Sequence, residues 1–300
     1  PLGAEIWAYV PYNLLPHLYW LTELNYPHVY YCDLKPKVFD AKILPDDTHY
    51  SDTDTEPNWG TFLVGGMRFG GGEIIADMDK TDGNTPDQDG TAPDDRSMTS
   101  AYFILDITDP ESPPEVIAEF SFDGLGYTTC YPAVVPMKDM DNNGNINANE
   151  WYLVFGSGPA DADGKPGTLD SLGQAVSGQS AKLFVVDLKK LASDGVLETL
   201  DSTGTFTELS SGDAHYQSLD SNAFISDPIS VDYDLNYSAD ALYFGTVEGS
   251  SSAGWGGKLR RVRIEDDTNP VNWTGDSTLM DLTAIGQPVT AAPTAAIDDR

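Results

Sequence analysis

The stretch WYLVFGSG at residues 151–158 is a short apolar run that ends in glycines. Aromatic and β-branched residues bounded by turn residues are typical of a strand. Similar runs ending in glycine stand at 61–66 (TFLVGG) and 242–245 (LYFG). A further strand-like run with an aspartate near its end occurs at 101–106 (AYFILD) and 182–187 (KLFVVD). The chain therefore repeats one strand-rich unit.

Repetition of short antiparallel strands predicts an all-β fold, namely a β-propeller of four-stranded antiparallel blades. Because propellers need about four or more blades to close, the repeats predict a partial propeller of about three blades plus edges, with long loop insertions. We interpret residues 1–300 as one partial propeller domain. The predicted blade repeats cover about 28–122, 127–200 and 221–282, with the start of a next blade at 285–300 and insertions at 77–98 and 159–180.

Several local features outside the repeated runs also lead to predictions. Residues 14–24 predict a short helix, and residues 5–10 (EIWAYV) predict the outer strand of a further blade. The basic run at 258–263 (KLRRVR) predicts either a docking surface or an exposed blade edge protected by charge. Cys32 and Cys130 lie near the first strands of neighbouring repeats, so either a disulfide or two separate thiols fits their positions.

Acidic residues dominate the charge, with 48 aspartates and glutamates against 16 lysines and arginines and a net charge of −32. This sign excludes a nucleic-acid binder that works by neutralising phosphates, and it argues against an anionic membrane surface as a direct partner. No run approaches the roughly 18 apolar residues of a membrane-spanning helix, so no direct membrane insertion is predicted. Aspartates outnumber glutamates 36 to 12. This excess fits either a highly charged surface or the binding of Ca²⁺ through oxygen ligands.

One loop, at 139–150 (DMDNNGNINANE), matches the EF-hand calcium pattern. Glycine at its sixth position, Gly144, allows a sharp turn. The flanking segments are predicted strands, so this loop lacks the helices of an EF-hand. An aspartate-rich turn that needs no metal is the alternative interpretation. The predicted metal ligands, with Asn145 offering its backbone carbonyl, are Asp139, Asp141, Asn143, Asn145, Asn147 and Glu150.

A second loop occupies the same place in the third repeat and has a shorter spacing. Its predicted metal ligands, at positions one, three, five and nine, are Asp232, Asp234, Asn236 and Asp240. Its sixth residue is Tyr237 instead of glycine, which weakens the match because a positive φ is costly for a residue with a side chain.

Catalytic motifs are not recognisable, and no catalytic or organic-cofactor residue is predicted. The four histidines lack the spacing of a zinc site, and no nucleophile elbow is present. Propellers nevertheless host many functions. A secreted calcium-dependent propeller enzyme, either a hydrolase or a quinoprotein dehydrogenase, therefore stays open as the alternative to a non-enzymatic protein, as does a purely structural surface module.

An ordered set of motifs resembles a known family. These are GAEIWAYVP at 3–11, LLPHL at 14–18, YPHVY at 26–30, LVGG at 63–66, LDITDP at 105–110, VFGSG at 154–158, YFGT at 243–246 and PVTAAP at 288–293. Together they resemble the C-terminal propeller domain of the PilC/PilY-type proteins of type IV pili, over nearly the whole chain. The sequence departs from the family pattern at Arg260 and Arg263, and the two insertions have no clear counterpart.

The resemblance implies a calcium-binding, non-enzymatic propeller of a pilus-tip protein. It implies support of pilus assembly, opposition to retraction, surface adhesion and twitching motility. The implied partners are minor pilins of the tip complex and a host or other surface receptor. The implied location is extracellular, at the pilus tip or outer cell surface after export through the periplasm. Within this resemblance, the shorter loop at 232–240 looks closest to the calcium loop of the family.

Overall fold

The computed structural model of the chain describes residues 3–44, 58–77, 95–140, 146–166, 174–194, 207–208 and 214–296. Strands dominate the described residues and pair antiparallel throughout. In chain order they are β1 (Lys37–Leu44), β2 (Asn58–Gly66), β3 (Ile74–Asp77), β4 (Asp95–Met98), β5 (Tyr102–Asp106), β6 (Glu115–Phe120), β7 (Ala133–Met140), β8 (Ile146–Gly156), β9 (Lys182–Asp187), β10 (Thr207–Glu208), β11 (Ala214–Ser218), β12 (Ala223–Ile225), β13 (Ile229–Val231), β14 (Ala241–Ser250), β15 (Gly254–Gly256), β16 (Lys258–Arg263) and β17 (Thr274–Asp281).

Three sheets follow one another along the chain and correspond to three blades. Blade 1 has the strand order β1-β2-β5-β6, and blade 2 has the order β10-β11-β9-β8-β7. Blade 3 has the order β12-β14-β16-β17, with β13 and β15 also paired to β14. The antiparallel, blade-like sheets confirm the predicted all-β propeller class. The strands β3 and β4 form a separate hairpin.

Side chains of β8 alternate between two interblade cores, as the twofold period of a strand requires. Leu153 and Phe155 pack in a core shared with blade 1. Tyr152 and Val154 pack in a second core, shared with blade 3. Because both faces of the strand are covered, the run is continuously apolar instead of alternating with polar residues. The apolar stretch at 151–156 is thus the sequence of a strand between two neighbouring blades.

Glycine after the aromatic residue of these runs leaves room for the following segment. A Cβ atom on Gly156 would lie 2.2 Å from Cβ of Ile225 in β12, and one on Gly245 would lie 2.3 Å from Cγ1 of Val289. Real Cβ atoms do not approach other atoms this closely. The recurring Phe-Gly pair is therefore a packing requirement, in which the phenylalanine fills one core and the glycine lets the following segment approach.

The N-terminal segment differs from its prediction. Tyr12–Thr22 forms a 3-10 helix in which Leu14 and His17 are buried, so the predicted helix is present with a tighter winding that tolerates Pro16. Residues 5–10, predicted as an outer strand, have no strand assignment. This segment is instead held by Glu119 of β6, whose carboxylate accepts bonds from the hydroxyl of Tyr9 at 2.8 Å and from the backbone N–H of Tyr12 at 2.6 Å.

The basic strand β16 is interior to its sheet, between β14 and β17, so its interpretation as an exposed blade edge was wrong. Its Arg260 is buried and paired with Asp220. The short helix α1 (Leu188–Asp194) follows β9. Cys32 and Cys130 are both free thiols, and Cys130 is buried.

The predicted division into repeats differs from the sheets at one place. The sheet of blade 2 continues through β11 to Ser218, beyond the predicted end at 200. The insertion at 77–98 includes the β4 arm of the hairpin, and its residues 78–94 lie outside the described part. The insertion at 159–180 contacts the turn that follows blade 1, where the N–H of Gly126 donates to the carbonyl of Gly164 at 3.1 Å. The domain division as a whole stays a prediction.

Candidate metal centre

The loop between β13 and β14 brings three predicted ligands together. Carboxylate oxygens of Asp232, Asp234 and Asp240 lie within 4.8 Å of one another. The blade positions the ends of this loop, because the N–H of Asp240 donates to the carbonyl of Val231 at 2.9 Å. Three carboxylates this close form a hard-oxygen donor set of the kind that Ca²⁺ prefers.

Asn236, the fourth predicted ligand, lies beside this cluster. Its side-chain Nδ2 donates to Asp234 at 3.2 Å, and its backbone N–H donates to Asp232 at 3.2 Å. Its Oδ1 accepts the N–H of Ser238 at 2.7 Å. Asp232 also accepts the N–H of Tyr237 at 2.8 Å. The loop is therefore wrapped around its own carboxylates by short-range bonds, with Asn236 at its centre.

The loop turns at the position where an EF-type loop requires it. Tyr237 has φ of 71° and Leu235 has φ of 60°, both in the left-handed region. The tyrosine at position six, which weakens the sequence match, thus adopts the backbone conformation that glycine adopts in the standard motif. Lys138 stabilises the loop at this residue. Its ammonium lies 4.3 Å from the ring centroid of Tyr237 and donates to the carbonyl of Asn236 at 2.9 Å.

Leu235→Gly is expected to stabilise the chain by about 0.5–1 kcal/mol. A left-handed φ costs a residue with a side chain about 1–2 kcal/mol, and glycine avoids that cost. Part of the gain is offset because glycine loses more backbone entropy on folding. Leu235 is 70% exposed, so the substitution removes little packing. Thermal and denaturant unfolding measure the effect. The matched control is Leu279→Gly, an exposed leucine in β17, which we expect to destabilise. A loss of stability in Leu235→Gly equal to that of the control would contradict the strain argument.

Negative charge accumulates at this loop. Burial raises the pKa of Asp240 above its ordinary value, and the charges of Asp234, Asp266 and Asp232 add to that effect, although a bond from the N–H of Tyr233 opposes it. Asp266, from the turn after β16, also accepts a bond from Nδ2 of Asn236 at 3.3 Å. A divalent cation would relieve the mutual repulsion of these carboxylates.

Sequence reasoning missed Asp266 and Lys138, which come from other segments. The one signal for Asp266 is the Asp-Asp pair at 266–267, two residues beyond the basic strand at 258–263. No local signal identifies Lys138, because its contact with the loop spans about a hundred residues of sequence. Both additions are long-range consequences of blade packing.

The other predicted loop, at 139–150, is only partly described. Asp141, Asn143 and Asn145 lie outside the described residues, while Asp139 and Asn147 fall within β7 and β8. The register pairs Asp139 with Ala148, and Oε1 of Glu150 lies 3.3 Å from Nζ of Lys189. Because three of the six residues lie outside the described part of the chain, the assignment of this loop to a metal stays a prediction.

Two further observations concern alternative sites. His17 bonds through Nε2 to the carbonyl of Gly72 at 2.8 Å, and burial lowers its pKa, which is the behaviour of a polar core residue. In the part of the chain that the structure describes, no helix is long and apolar enough to cross a membrane.

Fold and loop together define an acidic β-propeller domain with an aspartate loop between β13 and β14 of blade 3. No family model matches the chain. Two relatives, each described as a type IV pilus biogenesis factor PilY1 homolog of Xylella fastidiosa, are 30% identical over 168 residues and 26% identical over 159 residues. These matches cover 54% and 52% of this chain but 8% and 9% of the relatives.

A solved structure extends the similarity to almost the whole chain. The crystal structure of the Pseudomonas aeruginosa PilY1 C-terminal domain matches 97% of this chain and 45% of that chain, with a TM-score of 0.52 and 19% identity. At this identity the match is evidence for the fold. Sequence relatives and fold thus agree with the motifs, and the chain resembles the C-terminal propeller domain of PilC/PilY-type proteins.

Proposed function

We propose that this chain is the calcium-binding, non-enzymatic propeller module of a type IV pilus-associated surface protein. The single observation that carries the calcium assignment is the convergence of Asp232, Asp234 and Asp240 within 4.8 Å. The pilus assignment is supported by relatives described as type IV pilus biogenesis factors. Calcium has no redox role at such a site. It neutralises the carboxylates and fixes the loop against blade 3.

The wider proposal follows the relatives and the fold. The module would dock on minor pilins in a tip complex outside the cell, after export through the periplasm, and support pilus assembly, adhesion and twitching while opposing retraction. Neither nucleic acid nor membrane insertion has a part in it. If the full protein that carries this chain were absent from sheared pili, and the chain bound no purified minor pilin, the pilus assignment would be overturned.

Calcium added to the chelator-stripped chain is expected to bind with a dissociation constant of about 0.1–1 mM, the range of extracellular calcium modules. At 10-fold to 100-fold excess over that constant it should stabilise the fold by about 1.4–2.7 kcal/mol. Calorimetric titration and thermal unfolding measure both quantities. Asp234→Ala should weaken binding about tenfold or more, and this exposed residue can be replaced without disturbing the core.

The matched control is Asp163→Ala, which removes an exposed aspartate from a different loop and should leave calcium binding unchanged. Asp139→Ala distinguishes the two predicted calcium loops. It should remove calcium binding at the 139–150 loop and leave the 232–240 site intact. Undiminished calcium binding in Asp234→Ala would falsify the assignment of this loop. If the wild-type chain bound no calcium, the Asp-rich loops would be turns without a metal.

A further inference from the structure

A cavity of about 560 Å³ lies beside the metal loop, where all three blades contribute side chains. Trp59 comes from β2 of blade 1, while Met137 and Trp151 come from β7 and β8 of blade 2. Asp232 and Tyr237 come from the loop of blade 3. This volume is in the range of small-ligand pockets, which lie preferentially where structural units meet.

One wall of the cavity is aromatic. The indole rings of Trp59 and Trp151 meet edge to face, with centroids 5.7 Å apart and planes at 77°. Trp59 is 58% exposed, whereas Met137, which also lines the cavity, is buried. An exposed indole on a strand, in contact with a second indole, offers a flat apolar face to a ligand. Covering such an aromatic face with a ligand contributes strongly to the binding free energy, because it buries a large apolar area.

The other lining residues include polar side chains with one charge of each sign, and they form the polar wall of the cavity. Lys138 contributes one ammonium, and Asp232 contributes one carboxylate. The hydroxyls of Ser230 and Ser238 also line the cavity. The charged side chains that line the cavity are thus one cation and one anion, and the lining itself favours neither sign of ligand charge. The chain's net charge of −32 further disfavours an anionic ligand.

We propose that this cavity binds a pyranose unit of a neutral glycan. A pyranose has one apolar C–H face and a rim of hydroxyls, and these two features match the indole wall and the Lys138–Asp232 wall. The apolar face covers Trp59, and the hydroxyls bond to the ammonium and carboxylate. The proposal goes beyond calcium binding, since the indole wall is outside the metal loop, but Asp232 and Tyr237 belong to both.

Two other ligand classes fit the cavity less well. A quaternary ammonium would bind an aromatic face by cation–π attraction, but the Lys138 ammonium, which lies 4.3 Å from the ring of Tyr237, places a charge of the same sign in this cavity. A proline-rich peptide also packs on aromatic grooves. In such grooves, side chains of the protein donate hydrogen bonds to the carbonyl groups of the peptide. The indole N–H of Trp151 is buried, with no hydrogen-bond partner among the described residues, so it is not available to such a peptide.

The test uses the whole 300-residue chain with methyl glycosides of glucose, galactose, mannose and N-acetylglucosamine as probes. Binding is followed by saturation-transfer NMR and by tryptophan fluorescence, with calcium present. We expect at least one probe to bind with a millimolar dissociation constant. Trp59→Ala should weaken that binding about tenfold or more, and Lys138→Met should weaken it through the polar wall. Trp20→Ala, which removes an indole 39% exposed outside the cavity, should leave it unchanged.

Two substitutions test the calcium proposal and the glycan proposal independently of each other. Trp59→Ala should lose the glycoside and keep calcium, whereas Asp234→Ala should lose calcium without removing any residue that lines the cavity. The glycan proposal is overturned if no glycoside binds the wild-type chain, or if both Trp59→Ala and Lys138→Met bind as wild type does. It is also overturned if an oligoproline peptide binds in a Trp59-dependent way and the glycosides do not.

Discussion

Replacing Phe155 with alanine is expected to destabilise the chain by about 3–5 kcal/mol, the usual cost of deleting a buried phenylalanine side chain. Phe155 is fully buried where blades 1 and 2 meet. Its ring centroid lies 4.7 Å from that of Tyr102 in β5 and 5.6 Å from that of Phe184 in β9. The substitution leaves a cavity in the core that the two blades share. Closing that cavity would require the blades to shift relative to each other, so the structure relaxes only partly and most of the free-energy cost remains. Denaturant and thermal unfolding measure the loss.

The graded comparison is Phe155→Leu, which keeps most of the apolar volume and should cost clearly less than the alanine substitution. Val116→Ala on the outermost strand β6 is the matched control, since that side chain is 51% exposed and its loss should cost below about 0.5 kcal/mol. Equal costs for Phe155→Ala and Val116→Ala would show that the blades are not joined through this aromatic core.

Local pattern was sufficient to predict the blades. The apolar runs ending in glycine mark the interior strands, because each such strand is covered on both faces and followed by a close approach of the next segment. Gly156 and Gly245 show why the pattern is strict, since a Cβ on either would overlap the chain that follows.

Predictions failed where tertiary contacts override local pattern. The basic run of β16 resembles a charged edge strand, yet the strand pairs with β14 and β17 on its two edges, and its buried arginine bonds to Asp220, forty residues away. The segment at 5–10 has a strand-like sequence, but Glu119 bonds it to β6 in another conformation. Neither partner can be identified without knowing which segments the blades bring together.

The residues of the candidate metal site likewise fall into two groups, those that the local sequence predicts and those that tertiary packing adds. The spacing of Asp232, Asp234 and Asp240 is local, and the sequence alone predicted their convergence. The contributions of Asp266 and Lys138 are not local, because each belongs to a strand or turn that only the packed blades bring to the loop. The aromatic cavity beside the loop follows the same rule, since Trp59 and Trp151 come from different blades.

Asp220→Ala is the second substitution for which we expect a large effect, a destabilisation of about 3–5 kcal/mol, because removing one partner of a buried ion pair costs that much. Asp220 lies in the connection between blades 2 and 3 and accepts from Nε and Nη2 of Arg260, at 2.7 Å and 2.5 Å. The ammonium of Lys258 lies 2.6 Å from the same carboxylate. The substitution removes a carboxylate that two cations of β16 share, although Lys258 keeps its contact with Oε1 of Glu248 at 3.2 Å.

The pH dependence of that effect has a defined sign. Burial by itself raises the pKa of Asp220, but the bonds from Arg260 and Lys258 outweigh burial and hold the pKa below its ordinary value. A carboxyl with a depressed folded-state pKa contributes stability above its unfolded pKa of about 3.9. That contribution is lost as the pH falls through the folded value. The difference between wild type and Asp220→Ala should therefore be constant from about pH 5 to pH 8 and shrink below about pH 4.

The matched control for this pair is Glu265→Ala, which removes the partner of Arg263 at the other end of β16. Those two side chains are 66% and 52% exposed, with Oε1 of Glu265 3.0 Å from Nη1 of Arg263. An exposed pair contributes below about 1 kcal/mol, because water and salt screen it and two long side chains must be ordered. Salt should diminish the small effect of Glu265→Ala and leave that of Asp220→Ala nearly intact. If both substitutions cost the same, the Asp220 carboxylate would be a surface charge, and β16 would not depend on it for its place between β14 and β17.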